Sequence, residues 1–194
     1  MPSITVQTAQ AAVLSATSNI LAQALTAYRE NKTFQLALEP IYKFVLFTIL
    51  NTPINILWQR YLEETFPGSK PASSTPPAQT KEVGEKDAYK NKAVASKDVA
   101  SKRNIATKFL LDQTIGAAFN TALFFIGMGL LNGNTWEQCI STMKRDSFSL
   151  YVAGAKIWPA VSLISFIFIP VERRVLFASI IGVGWGVYLS LLAA

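Results

Sequence analysis

The chain has 194 residues, of which 51% are hydrophobic and only 15% charged, and its net charge is +6. Soluble domains carry about 25% charged residues and spread them over most of their surface. The composition is therefore typical of an integral membrane protein. The sequence has no histidine and one cysteine, Cys139. An internal disulfide is excluded, and the side chains most used in transition-metal sites and as general bases are missing. We expect no metal, no cofactor and no enzymatic activity.

Residues 1–66 are predicted to form an N-terminal pair of membrane helices. The first helix covers residues 6–28, which are only moderately apolar and carry small residues at four-residue spacing. Such spacing lets membrane helices approach closely. The second helix covers residues 36–61 and has Pro53 deep inside it, where the loss of one backbone hydrogen bond predicts a kink.

Residues 67–104 differ abruptly from both neighbours. They contain four prolines, eight basic and four acidic residues, and almost no bulky aliphatic side chains. This composition predicts a long basic linker that is flexible over much of its length, with a polar helix over residues 86–103. The interspersed acidic residues favour a solvated spacer over a nucleic-acid-binding segment, so no nucleic-acid partner is expected. The positive charge places the linker on the cytosol-like or matrix-like side of a membrane.

Residues 105–194 are predicted to be the C-terminal half of the same membrane domain. Apolar segments cover residues 105–131, 149–169 and 175–192, and the first is long enough to cross a hydrocarbon core of about 30 Å. A turn, "NGN", and a charged amphipathic stretch separate the first two. The predicted fold class is all-α: a multi-pass membrane bundle of four to five hydrophobic helices with a long basic linker in the middle.

The third predicted helix carries polar side chains at four-residue spacing. Lys108, Asp112, Gly116 and Asn120 are expected to share one face, and charges inside membrane helices usually face a bundle interior or a water-filled path. One interpretation is a pore lining. The alternative is a structural salt bridge between Lys108 and Asp112, with Lys108 extending towards the headgroups. The candidate pore-lining residues are Lys108, Asp112, Asn120, Lys156, Ser162 and Ser165; for the last three, extension to the headgroups or hydrogen bonding between helices is the alternative.

Small residues form a ridge on the last predicted helix: Ala178, Gly182, Gly186 and Ser190. Each is four residues from the next, the pattern of closely packed membrane helices. We expect packing within the chain, with a homodimer face as the alternative.

The stretch "WPAVSLISFIFIPVERR" is predicted to be the second half of a membrane helix. Pro159 is expected to bend that helix and Pro170 to end it. Arg173 and Arg174 are expected to hold its end at the headgroups. Glu63, at the end of the second helix, is expected to be solvated.

Several motifs occur in a fixed order. "KFLLDQ" (residues 108–113) is similar to a K-x-x-x-D-Q signature, and residues 158–174 are similar to W-P-x-x-Q-x-x-N-F-x-x-V-P-x-x-x-R. "WGVYLS" and "NTPINILWQRYLEETFPG" match two further segments. The sequence thereby resembles the Mpv-seventeen family of small peroxisomal and mitochondrial inner-membrane proteins. The residues that carry the resemblance are Pro53, Trp58, Gln113, Trp158, Pro159, Pro170, Arg174, Trp185 and Tyr188. The sequence departs from the signatures at Asn55, Ser162 and Ser165, where relatives carry His, Gln and Asn.

The resemblance implies a compact bundle of four membrane helices with weakly selective channel activity towards small solutes, linked to organelle homeostasis. The resulting hypothesis is a channel or permeability factor for small hydrophilic solutes or ions in an organelle membrane. The mitochondrial inner membrane is favoured and the peroxisomal membrane is the alternative. The competing hypothesis is a non-conducting scaffold or accessory subunit. The expected partners are the lipid bilayer, the solutes, and a second copy or a membrane complex.

Overall fold

A computed structural model describes residues 3–68 and 102–193, which form six α-helices and no strand. The predicted all-α membrane bundle is confirmed. Residues 69–101 lie outside the described part of the chain. The predictions of a flexible linker and of a polar helix over residues 86–103 fall almost entirely on these residues. The helices are α1 (Ile4–Arg29), α2 (Leu38–Thr65), α3 (Lys102–Leu131), α4 (Trp136–Gly154), α5 (Trp158–Phe168) and α6 (Val171–Ala193).

Two of these helices, α2 and α3, are each long and apolar enough to cross a membrane. Helices α4 and α5 pass the same criterion only as a pair, which is bent by 56°. Helix α2 continues on both sides of Pro53. It is antiparallel to α1, and α1 also packs against α6.

The turn between α1 and α2 is fixed by a single amide side chain. Helix α1 ends at Arg29, and Asn31, two residues later, has a φ of 52° in the left-handed region that asparagine tolerates. The Gln23 side chain then donates to the Ala37 carbonyl at 2.9 Å and accepts from the Ala37 N–H at 2.8 Å. These two bonds hold the start of α2 against α1.

The turn between α3 and α4 follows the "NGN" segment. Gly133 has φ of +81°, and the Asn134 N–H donates to Gly129 O at 3.0 Å, which is the hydrogen-bonding pattern of a helix that ends on a left-handed glycine. Thr135 then caps α4 in a reciprocal pair of bonds with Gln138. The short turn makes α3 and α4 antiparallel neighbours.

The prediction of one continuous helix over residues 149–169, bent by Pro159, was wrong. Helix α4 ends at Gly154 and a new helix begins at Trp158, with Pro159 at its second position. A proline lacks the N–H that a helix interior needs, but the first turn does not use that group. Pro159 therefore starts a helix instead of bending one. Helix α5 ends before Pro170, as predicted.

Candidate functional site

Polar side chains of α2 face polar side chains of α3 along most of the contact between the two helices. Glu63 meets Lys108, Gln59 meets Asp112, and Asn55 meets Asn120. Side chains from α5 and α6 complete the set. We call these residues the polar column: Asn51, Asn55, Trp58, Gln59 and Glu63 of α2, Lys108, Asp112, Gln113 and Asn120 of α3, Ser162 of α5 and Arg174 of α6.

The polar side chains of α3 stay on one face because the helix contains a wider turn. In a regular α-helix, the direction of the side chain would rotate by about 120° between Lys108 and Asn120. Residues Asp112–Gly116 instead form a π-helical segment, in which the Ala117 N–H donates to Asp112 O. A π turn takes about one residue more than an α turn, which cancels most of that rotation. The expected shared face is therefore produced by the π segment.

Three charged side chains meet at the end of the polar column where α2 ends and α3 begins. Glu63 Oε2 lies 2.7 Å from Lys108 Nζ and 2.8 Å from Arg174 Nη1. Lys108 is fully buried and Arg174 is 5% exposed. The Phe166 ring contacts both cations, with its centroid 5.4 Å from Lys108 Nζ and 5.0 Å from Arg174 Cζ. We call Glu63, Lys108 and Arg174 the charged cluster; its formal charge is +1.

The charged cluster corrects three expectations. Lys108 pairs with Glu63 and not with Asp112, Glu63 is an ion-pair partner and not a solvated side chain, and Arg174 is buried instead of lying at the headgroups. Arg174 turns inward because its Nε also donates to the Ile169 carbonyl at the end of α5, at 3.1 Å. The signal that could have identified Glu63 is its spacing from Asn55 and Gln59, each four residues from the next, which predicts a polar face on α2.

Asp112 is held only by neutral donors. Its Oδ1 accepts from Trp58 Nε1 and Gln59 Nε2, both at 3.1 Å, and its Oδ2 accepts from Ser162 Oγ at 2.6 Å. Gln113 Nε2 donates to Ser162 Oγ at 2.9 Å and to Asp112 Oδ2 at 3.4 Å. No cation of the described residues forms an ion pair with Asp112. Among the described residues, the Asp112 carboxylate is therefore stabilised by neutral hydrogen-bond donors and not by a cation.

The far end of the polar column consists of amides. Asn120 Oδ1 accepts from Asn55 Nδ2 at 3.0 Å and from Asn51 Nδ2 at 3.4 Å, and Asn120 Nδ2 donates to Gly116 O. Two acceptors in the polar column, Asn51 Oδ1 and Gln59 Oε1, are shielded from solvent and receive no hydrogen bond from the described residues. Leaving such an acceptor unpaired costs about 1–3 kcal/mol, so both oxygens favour a donor that enters the polar column.

An open groove of about 410 Å³ reaches the polar column from the surface of the bundle. Its walls are mostly apolar side chains, among them Leu57, Tyr61, Ile115 and Phe119, which are all more than half exposed. Its floor includes Asn120 and Gly116, where a Cβ would lie 3.0 Å from Trp58 Nε1. The groove therefore connects the outer surface of α2 and α3 with the amide side chains of Asn55 and Asn120.

The other candidate pore-lining residues lie elsewhere. Lys156 is exposed in the break between α4 and α5. Ser165 is buried on α5, and no described hydrogen bond joins its side chain to the polar column. Ser162 is the only predicted residue of α5 or the preceding break that the structure brings to Asp112.

The small-residue ridge of α6 faces α1 at Gly186. A Cβ at Gly186 would collide with Ser18 Oγ, which donates to Val183 O at 3.4 Å. A Cβ at Gly182 would meet nothing within 4 Å, and Ala178 is half-buried. The side chain of Ser190 lies outside the described part of the chain. Close packing between α1 and α6 is therefore centred on Gly186.

Aromatic residues of two motifs join α5 to α6. The Trp158 and Trp185 rings lie 6.1 Å apart in an edge-to-face arrangement, and Trp185 stacks on Tyr188 at 5.4 Å. A Cβ at Gly154 would lie 3.1 Å from the Trp158 ring. The W-P motif and the closing aromatic motif thus meet in one packing unit.

Comparison with known proteins covers both halves of this structure. A sequence model described as the Mpv17 / PMP22 family matches residues 129–190, from the end of α3 through most of α6. Protein sym1 of Schizosaccharomyces pombe is 24% identical over 195 aligned residues, which are 93% of this chain and 80% of that protein. These similarities support an assignment to the Mpv17/PMP22 family. Members of the Mpv17/PMP22 family are membrane proteins of mitochondria and peroxisomes.

Two further relatives match a little under half of the chain. "PXMP2/4 family protein 4" of Dictyostelium discoideum is 31% identical over 45% of this chain, and "Mitochondrial inner membrane protein Mpv17" of Caenorhabditis briggsae is 29% identical over 44%. In both, the match spans 48% of the relative, so the chain spans about half the length of these relatives. No solved structure matches the chain.

Proposed function

We propose that this chain is a weakly selective permeability factor for small hydrophilic solutes in an organelle membrane, with the polar column as its pathway. The observation that carries the proposal is the length of the polar column: it runs from Glu63 and Lys108 to Asn51 and Asn120 along α2 and α3, the two helices long enough to cross a membrane. Polar and charged side chains are expensive in a bilayer and mark solute pathways. The proposal includes no catalytic role.

The arrangement described above corresponds to a closed state. The amide and hydroxyl groups of the polar column bond to each other at 2.9–3.4 Å, which leaves no continuous space for a solute between them. Hydrogen bonds between neutral groups exchange with water or with a polar solute at small net cost. A modest separation of α2 from α3 therefore opens the pathway. The ion pairs of the charged cluster are the contacts that resist this separation most strongly.

The pathway is tested by reconstituting the purified chain in lipid vesicles and measuring solute entry by light scattering. Entry of small polyols should be faster than in vesicles without protein. Replacing Asn120 with Leu removes the amide layer and should slow that entry, while Asn134→Leu, in the turn between α3 and α4, should leave it unchanged. Folded wild-type protein that admits no polar solute contradicts the proposal.

For location, we propose the mitochondrial inner membrane. The support is the name of the Caenorhabditis briggsae relative, "Mitochondrial inner membrane protein Mpv17". The Dictyostelium discoideum relative has a "PXMP2/4" name instead, which favours the peroxisomal membrane. Imaging a fluorescently tagged chain together with markers of both organelles distinguishes the two, and a purely peroxisomal signal contradicts the proposal.

A non-conducting scaffold or accessory subunit is the second candidate. It is favoured by the pairing inside the polar column, where Glu63 neutralises a fully buried Lys108 and four neutral donors surround Asp112. Such pairing also suits a seam that only holds helices together. This candidate predicts a stable complex, either of two copies or with another membrane protein, and no solute entry into vesicles. A monomer that admits polyols contradicts it.

A further inference from the structure

Helix α4 runs back along α3, which is long and apolar enough to cross a membrane. Near the start of α4, Cys139 packs on Gly129, where a Cβ would collide with the Cys139 sulfur. Near the end of α4, the Tyr151 hydroxyl donates to the Gln113 carbonyl at 3.2 Å. About 24 Å of α3 separates Gln113 from Gly129 at a rise of about 1.5 Å per residue, which is most of a hydrocarbon core of about 30 Å. Helix α4 therefore lies at the same membrane depth as α3.

An exposed ion pair lies halfway between those two contacts. Arg145 is as far from Cys139 along the helix as it is from Tyr151, so it is level with the middle of α3. Its guanidinium donates to both carboxylate oxygens of Asp146, at 2.8 and 2.9 Å. The two side chains are nevertheless 73% and 43% exposed. The outer surface of the bundle thus carries two charges near the middle of the bilayer.

The ion pair belongs to a row of polar side chains along the outer face of α4. Exposed polar residues recur three or four positions apart, which places them on one side of a helix. We call them the α4 stripe: Glu137, Ser141, Lys144, Arg145 and Ser149. Cys139, on the other side of the helix, is buried against α3. The polar side of α4 therefore faces away from the bundle.

The α4 stripe shortens the apolar distance across the bilayer. A charged side chain at the bilayer centre costs much free energy unless water and headgroups reach it, and they do so through local thinning and water defects. The α4 stripe covers about 18 Å of helix, more than half of a core of about 30 Å. A headgroup beside α4 therefore crosses less hydrocarbon than a headgroup elsewhere in the membrane.

The charges of α4 match those of a zwitterionic phospholipid headgroup. Lys144 and Arg145 offer cations to the phosphate, and Glu137 and Asp146 offer carboxylates to the ammonium group. These are all the charged residues of α4, and they sum to zero, as the charges of such a headgroup do. Phe148 is 76% exposed among them and offers an apolar contact to the acyl chains.

A protein partner fits this face less well than a lipid. The core of a protein interface is depleted of charged residues, and its polar residues lie at the rim. The α4 stripe has the opposite arrangement, because Lys144 and Arg145 lie at its centre. Charges in the middle of a long polar row suit a surface along which headgroups move.

We propose that this chain also exchanges phospholipids between the two leaflets of the membrane: each headgroup moves along the α4 stripe, while its acyl chains remain in the hydrocarbon. The exchange forms and breaks no covalent bond and needs no energy source, because it only equilibrates the leaflets. It goes beyond the permeability proposed above, since the α4 stripe lies on the outside of the bundle and the polar column lies between α2 and α3. Lipid exchange and solute entry are therefore measured separately.

The first experiment uses phosphatidylcholine vesicles that contain the purified chain and a trace of short-chain fluorescent phosphatidylcholine in both leaflets. Albumin extracts the fluorescent lipid from the outer leaflet only, and it is far too large to follow a solute pathway. Extraction should stop at about half of the label in vesicles without protein and should approach completion with the wild-type chain. Folded wild-type protein that also stops at half overturns the proposal, whatever the same vesicles show for polyol entry.

The second experiment removes the charges at the centre of the α4 stripe. Lys144→Leu, Arg145→Leu and Asp146→Leu together should slow lipid exchange at least about tenfold, because the central part of the route becomes apolar. The matched control, Glu30→Leu with Lys32→Leu, removes an exposed ion pair between α1 and α2 and should leave the rate unchanged. A triple variant that exchanges lipid as fast as the wild type overturns the proposal.

The third experiment tests hydration of the α4 stripe with two nearly isosteric variants, Ser141→Cys and Ser149→Cys, and decides the question if the triple variant does not fold. A thiol reacts as the thiolate, which forms in water and not in hydrocarbon, and the native Cys139 is buried. Both new thiols should react with a membrane-impermeant maleimide, whereas Ile180→Cys, at an exposed apolar position of α6, should not. Protection of both thiols overturns the proposal. A disulfide between two copies through Ser141→Cys also overturns it, since the stripe would then be an interface between copies.

Discussion

Glu63 Oε2 accepts from Lys108 Nζ at 2.7 Å and thereby joins the end of α2 to the beginning of α3. The same oxygen lies 2.8 Å from Arg174 Nη1. Lys108 and Arg174 belong to two motifs of the Mpv17/PMP22 resemblance that are far apart in sequence. Glu63 connects them, so one carboxylate holds three helices together at the linker end of the bundle.

Glu63→Gln is expected to lower the stability of the fold strongly. The substitution leaves Lys108 and Arg174 buried without a counter-charge, and breaking a buried ion pair in this way costs about 3–5 kcal/mol. Because the Glu63 side chain is 27% exposed and solvent screens the pair, we expect a cost below this range, about 2–3 kcal/mol. Heating in detergent with a thiol-reactive fluorogenic maleimide measures the change, since Cys139 is 1% exposed and becomes reactive only on unfolding.

Glu64→Gln is the matched control for that measurement. Glu64 is the adjacent residue and is exposed, so its substitution should shift the melting temperature by no more than about 1 °C. Equal melting temperatures for the two variants would show that Glu63 does not hold the three helices together.

The sequence predicted the polar face of α3 but not its partners. Four-residue spacing identified Lys108, Asp112 and Asn120, because periodicity is a local property of the chain. The pairing of Lys108 with Glu63 depends on which helix packs against α3. The shared polar face depends also on the π-helical segment, which no sequence pattern predicts. Lys156 illustrates the opposite case: its position in an apolar segment suggested an inward direction, but the helix break before Trp158 leaves it exposed.

Trp58→Phe is expected to destabilise the protein through Asp112. The substitution keeps an aromatic ring beside Tyr61, where the two rings now lie 6.0 Å apart. It removes the indole N–H that donates to Asp112 Oδ1 at 3.1 Å. Hydrogen bonds between membrane helices contribute about 1 kcal/mol, so the melting temperature should fall by roughly 3 °C. The control Trp136→Phe changes a tryptophan that is 56% exposed; a fall of the same size in the control would exclude the hydrogen bond as the cause.

Gly186→Ala is expected to loosen the contact between α1 and α6, and Ser18→Ala is expected to rescue it. The new methyl group would collide with Ser18 Oγ, which must then abandon its bond to Val183 O. We expect a cost of about 1–2 kcal/mol in the single variant, which overpacking typically causes. In the Ser18→Ala background the colliding oxygen is gone, so the same substitution should cost less than about 0.5 kcal/mol.

The double-mutant cycle distinguishes packing within the chain from packing between copies. If the cost of Gly186→Ala is the same with Ser18 or Ala at position 18, the ridge does not act through α1. A homodimer face would instead make the cost depend on protein concentration. Gly182→Ala, where a Cβ meets nothing within 4 Å, should be neutral or slightly stabilising because alanine favours the helix.

The fold itself was predictable wherever local chemistry decides it. The "NGN" turn and the end of α5 before Pro170 follow from residues that break or cap helices. The break at Trp158 was not predicted because a proline inside an apolar run fits both a kinked helix and the first turn of a new one. The aromatic contact between Trp158 and Trp185 favours the second arrangement, and this contact cannot be read from either segment alone.

Gly133→Ala and Gly133→Asn are expected to differ, although both add a side chain at the same position. Gly133 has φ of +81° and a Cβ there would meet nothing within 4 Å, so only the backbone conformation opposes substitution. Alanine in the left-handed region costs about 1–2 kcal/mol, whereas asparagine adopts it more readily. Thermal unfolding followed at Cys139 should therefore rank the stabilities as Gly133, then Asn, then Ala. Equal stability of the alanine variant and the wild type would mean that the turn between α3 and α4 does not need a left-handed residue.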